Sequence, residues 1–225
     1  MYKYETHLHT KEGSACSSAP AADMARAHKA AGYDGIFVTD HFFNANTAVP
    51  RDLPWEERVD RYFLGYEHAK EVGDEIGLKV WFGCEFTVYN ADFLIYGMEK
   101  DWMKANEELL MHTDERVLFS KLRNELDCFI VHAHPFRHAS YIHHISLYPY
   151  DVDAVETINA SHDPCKLYDE RASYGLIKTG GSDSHHLDKL FGGGIDVPEP
   201  INCPADYHRL LMEGKVYPRE RTLPV

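Results

Sequence analysis

Residues 1–10 read Met1-Tyr2-Lys3-Tyr4-Glu5-Thr6-His7-Leu8-His9-Thr10, and their reading decides the fold. The run begins as a β-strand, in which residues two apart point to the same side, so His7 and His9 can present both imidazoles to one metal ion. Taken alone, the pair would serve equally well as polar strand residues. Further clusters tip the balance: Asp40-His41, Glu85, His132-Ala133-His134 and Asp183-Ser184-His185 each follow a short apolar run. Such strand ends are where a barrel or an open α/β sheet carries its site residues.

The segments around these clusters alternate. Residues 20–32 are Ala-rich, with Pro20 at the start and Gly32 at the end, which are helix start and stop signals. Residues 36–39 form a compact apolar strand ending at Asp40-His41, and a strand-helix-strand unit of this length makes a right-handed crossover to a parallel neighbour. Residues 55–76 read as one long helix, 79–82 as a buried strand reaching Glu85, 92–96 as a short strand, and 104–126 as helical. Residues 128–131 form a strand that opens onto His132-Ala133-His134-Pro135, where Pro135 ends the ladder. A strand over 152–158, a helix over 164–174 and a strand over 176–179 follow, the last delivering Gly180-Gly181-Ser182-Asp183-Ser184-His185. A late helix covers 205–213. There is no repeat, low-complexity tract or linker, so the expectation is a single α/β barrel-like domain over residues 1–225.

Composition sets the outer limits. With 225 residues, 44% of them hydrophobic, the chain can bury a sizeable core. A formal charge of −13 argues against a general hold on long nucleic acid or an anionic membrane. No stretch approaches the roughly 18 apolar residues of a membrane span, and residues 1–10 lack a secretory h-region, so cytoplasmic residence is expected. Cys16, Cys84, Cys128, Cys165 and Cys203 are scattered without a C-x-x-C pair, which suits a reducing compartment. The 15 histidines are the unusual count, because several sit beside acids.

Imidazole with carboxylate suits Zn, Mn or Fe, and several of each can hold more than one ion. His41 reads as a ligand and Asp40 as its supporting carboxylate, since ligating histidines commonly donate their other N–H to an acceptor. Glu85 reads as a bridging carboxylate. His134 is the better ligand of its pair, with His132 ligating, supporting or packing. Asp183 and His185 can face one pocket, whereas His186 then points elsewhere. His28, His68 and His208 lie in helical patterns and read as packing or surface residues, as His112 does most simply.

In this order, His7-Leu8-His9, Thr39-Asp40-His41, Gly83-Cys84-Glu85, Ala133-His134-Pro135 and Gly181-Ser182-Asp183-Ser184-His185 resemble the PHP (polymerase and histidinol phosphatase) superfamily over residues 7–185. The resemblance implies a distorted (β/α)7 barrel with a metal site at the C-terminal ends of its strands, and a phosphoesterase activity. It implies two or three divalent ions held by His7, His9, His41, Glu85, His134, Asp183 and His185, with Glu85 bridging. Many members carry an Asp or His shortly after the first motif, where this chain offers Glu12 as the nearby acid. Many also carry a further His between the Glu and His-Pro motifs, a part left here to Asp92 or His112.

The expected chemistry is hydrolysis of a phosphoester by a metal-activated water. No G-x-S-x-G elbow or Walker loop competes with it. Arg137 is a candidate phosphate clamp, because a guanidinium meets two oxygens at once, although a loop salt bridge is its plainer role. The acidic chain favours a small phosphorylated metabolite or short nucleotide as substrate. Tyr141, Tyr148 and Tyr150, with His138, His143 and His144, form an insert that either lines a pocket or packs as a surface loop. The rival functions are a metal-dependent C–N hydrolase and a non-catalytic metal-binding interaction module.

Overall fold

β1 (Tyr2–Leu8) is the reference strand of the computed structural model, which describes residues 1–89, 91–137, 142–161, 175–190 and 192–219. It pairs in parallel with β2 (Gly35–Val38), and β2 in parallel with β3 (Lys79–Val88). β4 (Ala91–Tyr96) runs antiparallel to both β3 and β5 (Phe129–Ala133). β6 (Ala154–Asn159) and β7 (Ile177–Gly181) continue in parallel from β5. β8 (Ile195–Val197) and β9 (Tyr217–Pro218) extend the other edge, giving the order β7-β6-β5-β4-β3-β2-β1-β8-β9.

The sheet curves until β1 meets the chain leaving β7. The His9 N–H donates to the Ser184 carbonyl at 2.9 Å and the Asp183 N–H to the His7 carbonyl at 2.8 Å, so the barrel is nearly closed at this seam. Closure is what brings the first and last motifs together across the length of the chain. The expected barrel is therefore present, but its seven central strands are not seven β/α repeats. β4 folds back on β3 as a hairpin and is inverted relative to its neighbours.

Apolar residues cover both faces of the strands, as a layered α/β architecture requires. On β4, Phe93 and Ile95 join the outer core with Phe119 and Leu122 of α6 (Glu115–Leu126), while Leu94 and Tyr96 point to the inner one. α1 (Ala21–Ala30) and α3 (Leu64–Ile76) cover β1, β2 and β3 through Met24, Ala25, Ala69 and Val72. The inner core gathers Tyr4, Phe37, Phe129 and Val131 around Tyr207 of α7 (Pro204–Met212). Tyr4, Phe37 and Phe129 precede His7, His41 and His134 on their segments, so α7 fills the N-terminal end of the barrel. The opposite end is left to the motif residues.

Two helical expectations are redrawn. Residues 55–76 divide at Phe63 into α2 (Trp55–Tyr62) and α3, where the Phe63 ring stacks on Phe82 at 4.1 Å. Residues 104–126 hold α5 (Glu107–His112) and α6, preceded by α4 (Lys100–Ala105), and the Asp114 carboxylate caps α6 by accepting the Arg116 N–H at 3.0 Å. The expected helix over 164–174 lies outside the described residues, as do Tyr141, His138 and Cys165. Among the described residues no helix is long and apolar enough to cross a membrane.

Candidate metal centre

β1 does not deliver its histidines by simple alternation. Its register against β2 shifts between Glu5 and Leu8, a local irregularity that re-aims side chains. The buried Glu5 carboxylate sits beside this break, where its Oε1 accepts the N–H groups of Thr6 (3.0 Å), His7 (2.9 Å) and Ser182 (2.9 Å). It thereby ties β1 to the loop that carries Asp183. His7 and His9 both emerge fully buried at the barrel's C-terminal end, with their Nε2 atoms 3.2 Å apart.

Glu85 occupies the middle of the cluster. Its Oε1 lies 3.1 Å from His134 Nε2 and 3.4 Å from His7 Nε2, and its Oε2 lies 2.7 Å from His41 Nδ1 and 3.4 Å from His9 Nε2. Asp183 Oδ1 approaches His9 Nε2 at 3.1 Å and His7 Nε2 at 3.5 Å. His185 stacks on His9 with ring centroids 4.2 Å apart. Two turns that present ligands use left-handed backbone at non-glycine residues, with φ of 27° at His134 and 55° at Asp183. Strain of this kind persists where the surroundings fix it, and it clusters at functional sites.

The ring nitrogens that face away from the centre have acceptors. His7 Nδ1–H faces Glu156 Oε1 at 3.1 Å, His9 Nδ1–H faces Ser14 Oγ at 2.9 Å, and His185 Nδ1–H faces the Asp183 carbonyl at 2.9 Å. Protonation at Nδ1 leaves Nε2 of each ring with a lone pair, and in His7 and His9 that atom points at the carboxylates. This is the outer hydrogen bonding by which proteins fix the tautomer of a ligating histidine.

The charges are consistent with a cation-binding site. Burial opposes ionisation of Glu85, but the facing His41 and His7 hold its carboxyl well below the usual range. Burial likewise disfavours a proton on His7, and Glu156, Asp183 and Glu85 together outweigh it, raising that ring well above its ordinary value. His9 goes the other way, pushed well down by burial and by the neighbouring His41 and His185.

The donor set fits divalent metal ions. His7, His9 and Glu85 can present ligand atoms within 4.8 Å of one another, as can His9, His41 and His185, and Glu85, Asp92 and His134. His41 Nδ1 and Glu85 Oε2 are buried and close, yet neither has a hydrogen-bond partner. The two atoms meet as a buried imidazole–carboxylate contact that lacks hydrogen-bond geometry, and both face the ligand cluster.

Several expected residues are placed differently. Asp40 turns its carboxylate to Thr10 and Ser14 rather than to the His41 ring, and reaches His41 only through Ser14, which accepts the His41 N–H. Its carboxylate accepts from Thr10 N (2.6 Å), Thr10 Oγ1 (2.7 Å) and Ser14 Oγ (2.7 Å), so through Ser14 it positions His9. Burial lifts its pKa to about 6 despite the hydrogen bonds from Thr10 and Ser14. Glu12 is not brought into the cluster: its carboxylate accepts the Ala21 N–H at 3.0 Å, at the start of α1, where an anion complements the helix dipole. His112 is exposed in the last turn of α5, away from the ligand groups, whereas Asp92 joins them, 4.0 Å from His134 Nδ1.

His132 is a packing residue, stacked on Phe93 at 5.2 Å and edge-on to Tyr148 at 5.7 Å, and burial drives its pKa down to about 3. Tyr148 is correspondingly held against Phe93 and His132 rather than offered to a pocket. Arg137 follows the ligand turn, its N–H donating to the His134 carbonyl at 2.9 Å, and its charge reaches Asp92. It stands within the electrostatic neighbourhood of the ligands.

Three contributors were not anticipated. Glu156, fully buried, accepts from His7 Nδ1, from the His134 N–H at 3.1 Å and from Asn159 Nδ2 at 3.0 Å. An acid inside the apolar run Ala154-Val155-Glu156-Thr157-Ile158 was the signal for it. Ser14 joins Asp40 to His9 and accepts the His41 N–H at 2.9 Å, a link made only by the fold. Cys16 lies with its thiol against His185 and His41; burial opposes its ionisation, but their hydrogen bonds bring it down to about 6.

No family model and no curated sequence matches the chain. Solved structures do. A two-domain protein of Bacteroides vulgatus ATCC 8482, described as containing a predicted PHP-like metal-dependent phosphoesterase, superposes with a TM-score of 0.70 at 14% identity over 98% of this chain. The chain spans 65% of that protein's length. A protein of Bifidobacterium adolescentis ATCC 15703, also described as a predicted metal-dependent phosphoesterase, gives 0.53 at 14% identity, covering 96% of this chain and 97% of its own. An amidohydrolase of Chromobacterium violaceum with bound sulfate and no metal gives 0.53 at 14% identity, covering 96% and 98%. At this identity the likenesses establish a shared fold.

Proposed function

We propose that the chain is a metal-dependent phosphoesterase acting on a small phosphorylated substrate. The observation that carries this reading is the convergence on Glu85 of His7, His9, His41 and His134, with Asp183 closing the other side. Two or three divalent ions of the Zn, Mn or Fe kind, held by these residues and His185, would acidify a water and neutralise charge on phosphoryl oxygens.

The chain's own groups do the rest. Glu156 and the Asp40–Ser14 pair keep the His7 and His9 rings in the tautomer that turns Nε2 inward. Glu85 divides its two oxygens between the His7/His134 side and the His9/His41 side, which suits a bridging carboxylate. Arg137 is assigned to a phosphoryl oxygen of the substrate, since its backbone is fixed to His134 and a guanidinium matches that group. The charge of −13 disfavours polymeric nucleic acid and leaves a small ester, in which one or two phosphoryl groups face the ions.

The second reading is hydrolysis of a C–N bond, favoured by the amidohydrolase neighbour. One panel separates the two: aryl phosphomonoester, phosphodiester and amide substrates, each assayed with Mn or Zn added to the full chain. Metal-dependent turnover of a phosphoester, lost in Asp183→Ala, supports the proposal. Turnover confined to the amides overturns it in favour of the second reading.

A further inference from the structure

We infer that Glu5 is a positioning residue of the metal centre, whose carboxyl group fixes how far Asp183 stands from His7 and His9 across the barrel seam. The inference rests on the metal-centre reading above and adds to it the group that sets one ligand against the others.

The seam joins segments from opposite ends of the chain. On it the Thr6 hydroxyl donates to the Gly180 carbonyl, and the Asp183 N–H donates to the His7 carbonyl at 2.8 Å. Between these two ties lies the Ser182 N–H, which donates to a side chain, Glu5 Oε1, at 2.9 Å. The same oxygen takes the Thr6 and His7 N–H groups, at 3.0 and 2.9 Å, where the register of β1 against β2 shifts. One carboxyl oxygen thus gathers N–H groups from both sides of the seam at a single point.

What it holds is a strained turn. Ser182 immediately precedes Asp183, whose φ of 55° is left-handed. A non-glycine residue keeps such backbone where its surroundings over-determine it. Glu5 fixes the peptide before the turn, and the His7 carbonyl takes the Asp183 N–H itself. The neighbouring chain is packed close: a Cβ at Gly181 would lie 2.5 Å from His7 Cβ, and one at Gly194 would lie 2.1 Å from the Tyr4 carbonyl oxygen. So held, Asp183 brings its Oδ1 to 3.1 Å from His9 Nε2 and 3.5 Å from His7 Nε2.

The cost of the residue points the same way. Glu5 is 0% exposed, and its Oε2 has no hydrogen-bond partner, standing 4.0 Å from His28 Nε2. A buried polar atom left unpaired costs free energy, and an apolar side chain of the same size would fill the space without that cost. What the glutamate supplies beyond volume is the reach of Oε1 to Ser182. An aspartate, one methylene shorter, could accept from its own strand and would fall short of the seam.

Two substitutions separate reach from charge. Zn affinity of the full-length, metal-stripped chain is read by competition with a chromophoric chelator. Glu5→Asp keeps the carboxyl group and loses the reach, and is expected to lower affinity about 10- to 100-fold, the range for groups that orient ligands. Glu5→Gln keeps the reach and an oxygen, and is expected to stay close to the native value. A general effect on folding is told apart by its route. In an Asp183→Ala background Glu5→Asp should cost little more, whereas in an Asp92→Ala background it should cost its full factor, because only the first pair acts through one ligand. Circular dichroism checks folding; if Glu5→Asp is unfolded, Glu5→Leu, which fills the site and offers no acceptor, replaces it in both backgrounds with the same losses expected. Unchanged affinity in Glu5→Asp, an equal loss in Glu5→Gln, or equal losses in the two backgrounds overturns this inference alone. A native chain that binds no Zn overturns the metal-centre reading with it.

Discussion

His41 Nδ1 and Glu85 Oε2 stand 2.7 Å apart, both buried, and neither is hydrogen bonded. At this separation they attract as an ion pair but lack the geometry of a hydrogen bond, so the buried contact is incompletely satisfied. A cation between or beside them satisfies both at once. Glu85→Gln removes the charge and turns a donor toward one of the rings. Its affinity for Zn or Mn is expected to fall by more than about 100-fold, beyond what loss of an outer hydrogen bond costs, as read by competition with a chromophoric chelator.

The route from Asp40 to His9 predicts coupling. Ser14→Ala leaves His9 Nδ1 without its acceptor, and Asp40→Asn leaves the Thr10 and Ser14 donors facing an amide. Each should weaken metal binding about 10- to 100-fold, the range for groups that orient ligands. The double variant should be little worse than either single one, because both act through the same ring. Additive losses in isothermal titration would show that Asp40 acts elsewhere.

Gly65 and Gly13 pack against the same carboxylate. A Cβ at Gly65 would lie 2.4 Å from Thr10 Oγ1 and 2.6 Å from Asp40 Oδ2, and one at Gly13 would lie 2.4 Å from Asp40 Cγ. Gly65 sits in α3, where alanine would ordinarily stabilise a helix by about 1 kcal/mol. Gly65→Ala is expected to reverse that sign and cost roughly 1–3 kcal/mol through overpacking. Urea denaturation of the metal-free chain checks it.

His28 is a buried neutral histidine away from the cluster, its Nδ1–H donating to the Met24 carbonyl at 2.8 Å, and burial lowers its pKa to about 4. The unfolded chain takes up a proton at this ring below about pH 6.5, the ordinary histidine value, and the folded chain does so only near pH 4. Its share of stability is therefore full above pH 6.5 and declines as the pH falls toward 4, by at most about 3 kcal/mol. The difference in unfolding free energy between the native chain and His28→Leu should shrink by that order over this window. A difference independent of pH would contradict a neutral buried ring.

Much of this was legible in the residues. The alternation of apolar runs and helical segments marked the barrel, and His7, His9, His41, Glu85, His134, Asp183 and His185 come together as their positions after those runs implied. Three kinds of information were not legible. The inverted strand β4 depends on a hairpin whose short apolar run has no directional signature. The support of His9 by Asp40 through Ser14 is a tertiary hydrogen-bond path across 26 residues, which no local pattern encodes. Glu12 and Cys16 lie four residues apart in one loop, and only its folded course sends the acid to α1 and the thiol to His41 and His185.

The most direct test of the central claim is the metal content of the full chain purified without chelator, by inductively coupled plasma mass spectrometry, with phosphoester hydrolysis measured on the same sample. At least two divalent ions per chain, falling in His9→Ala and Glu85→Gln together with turnover, is the predicted result. Fewer than one ion per chain, with none taken up from Zn or Mn solutions and no turnover, would contradict it.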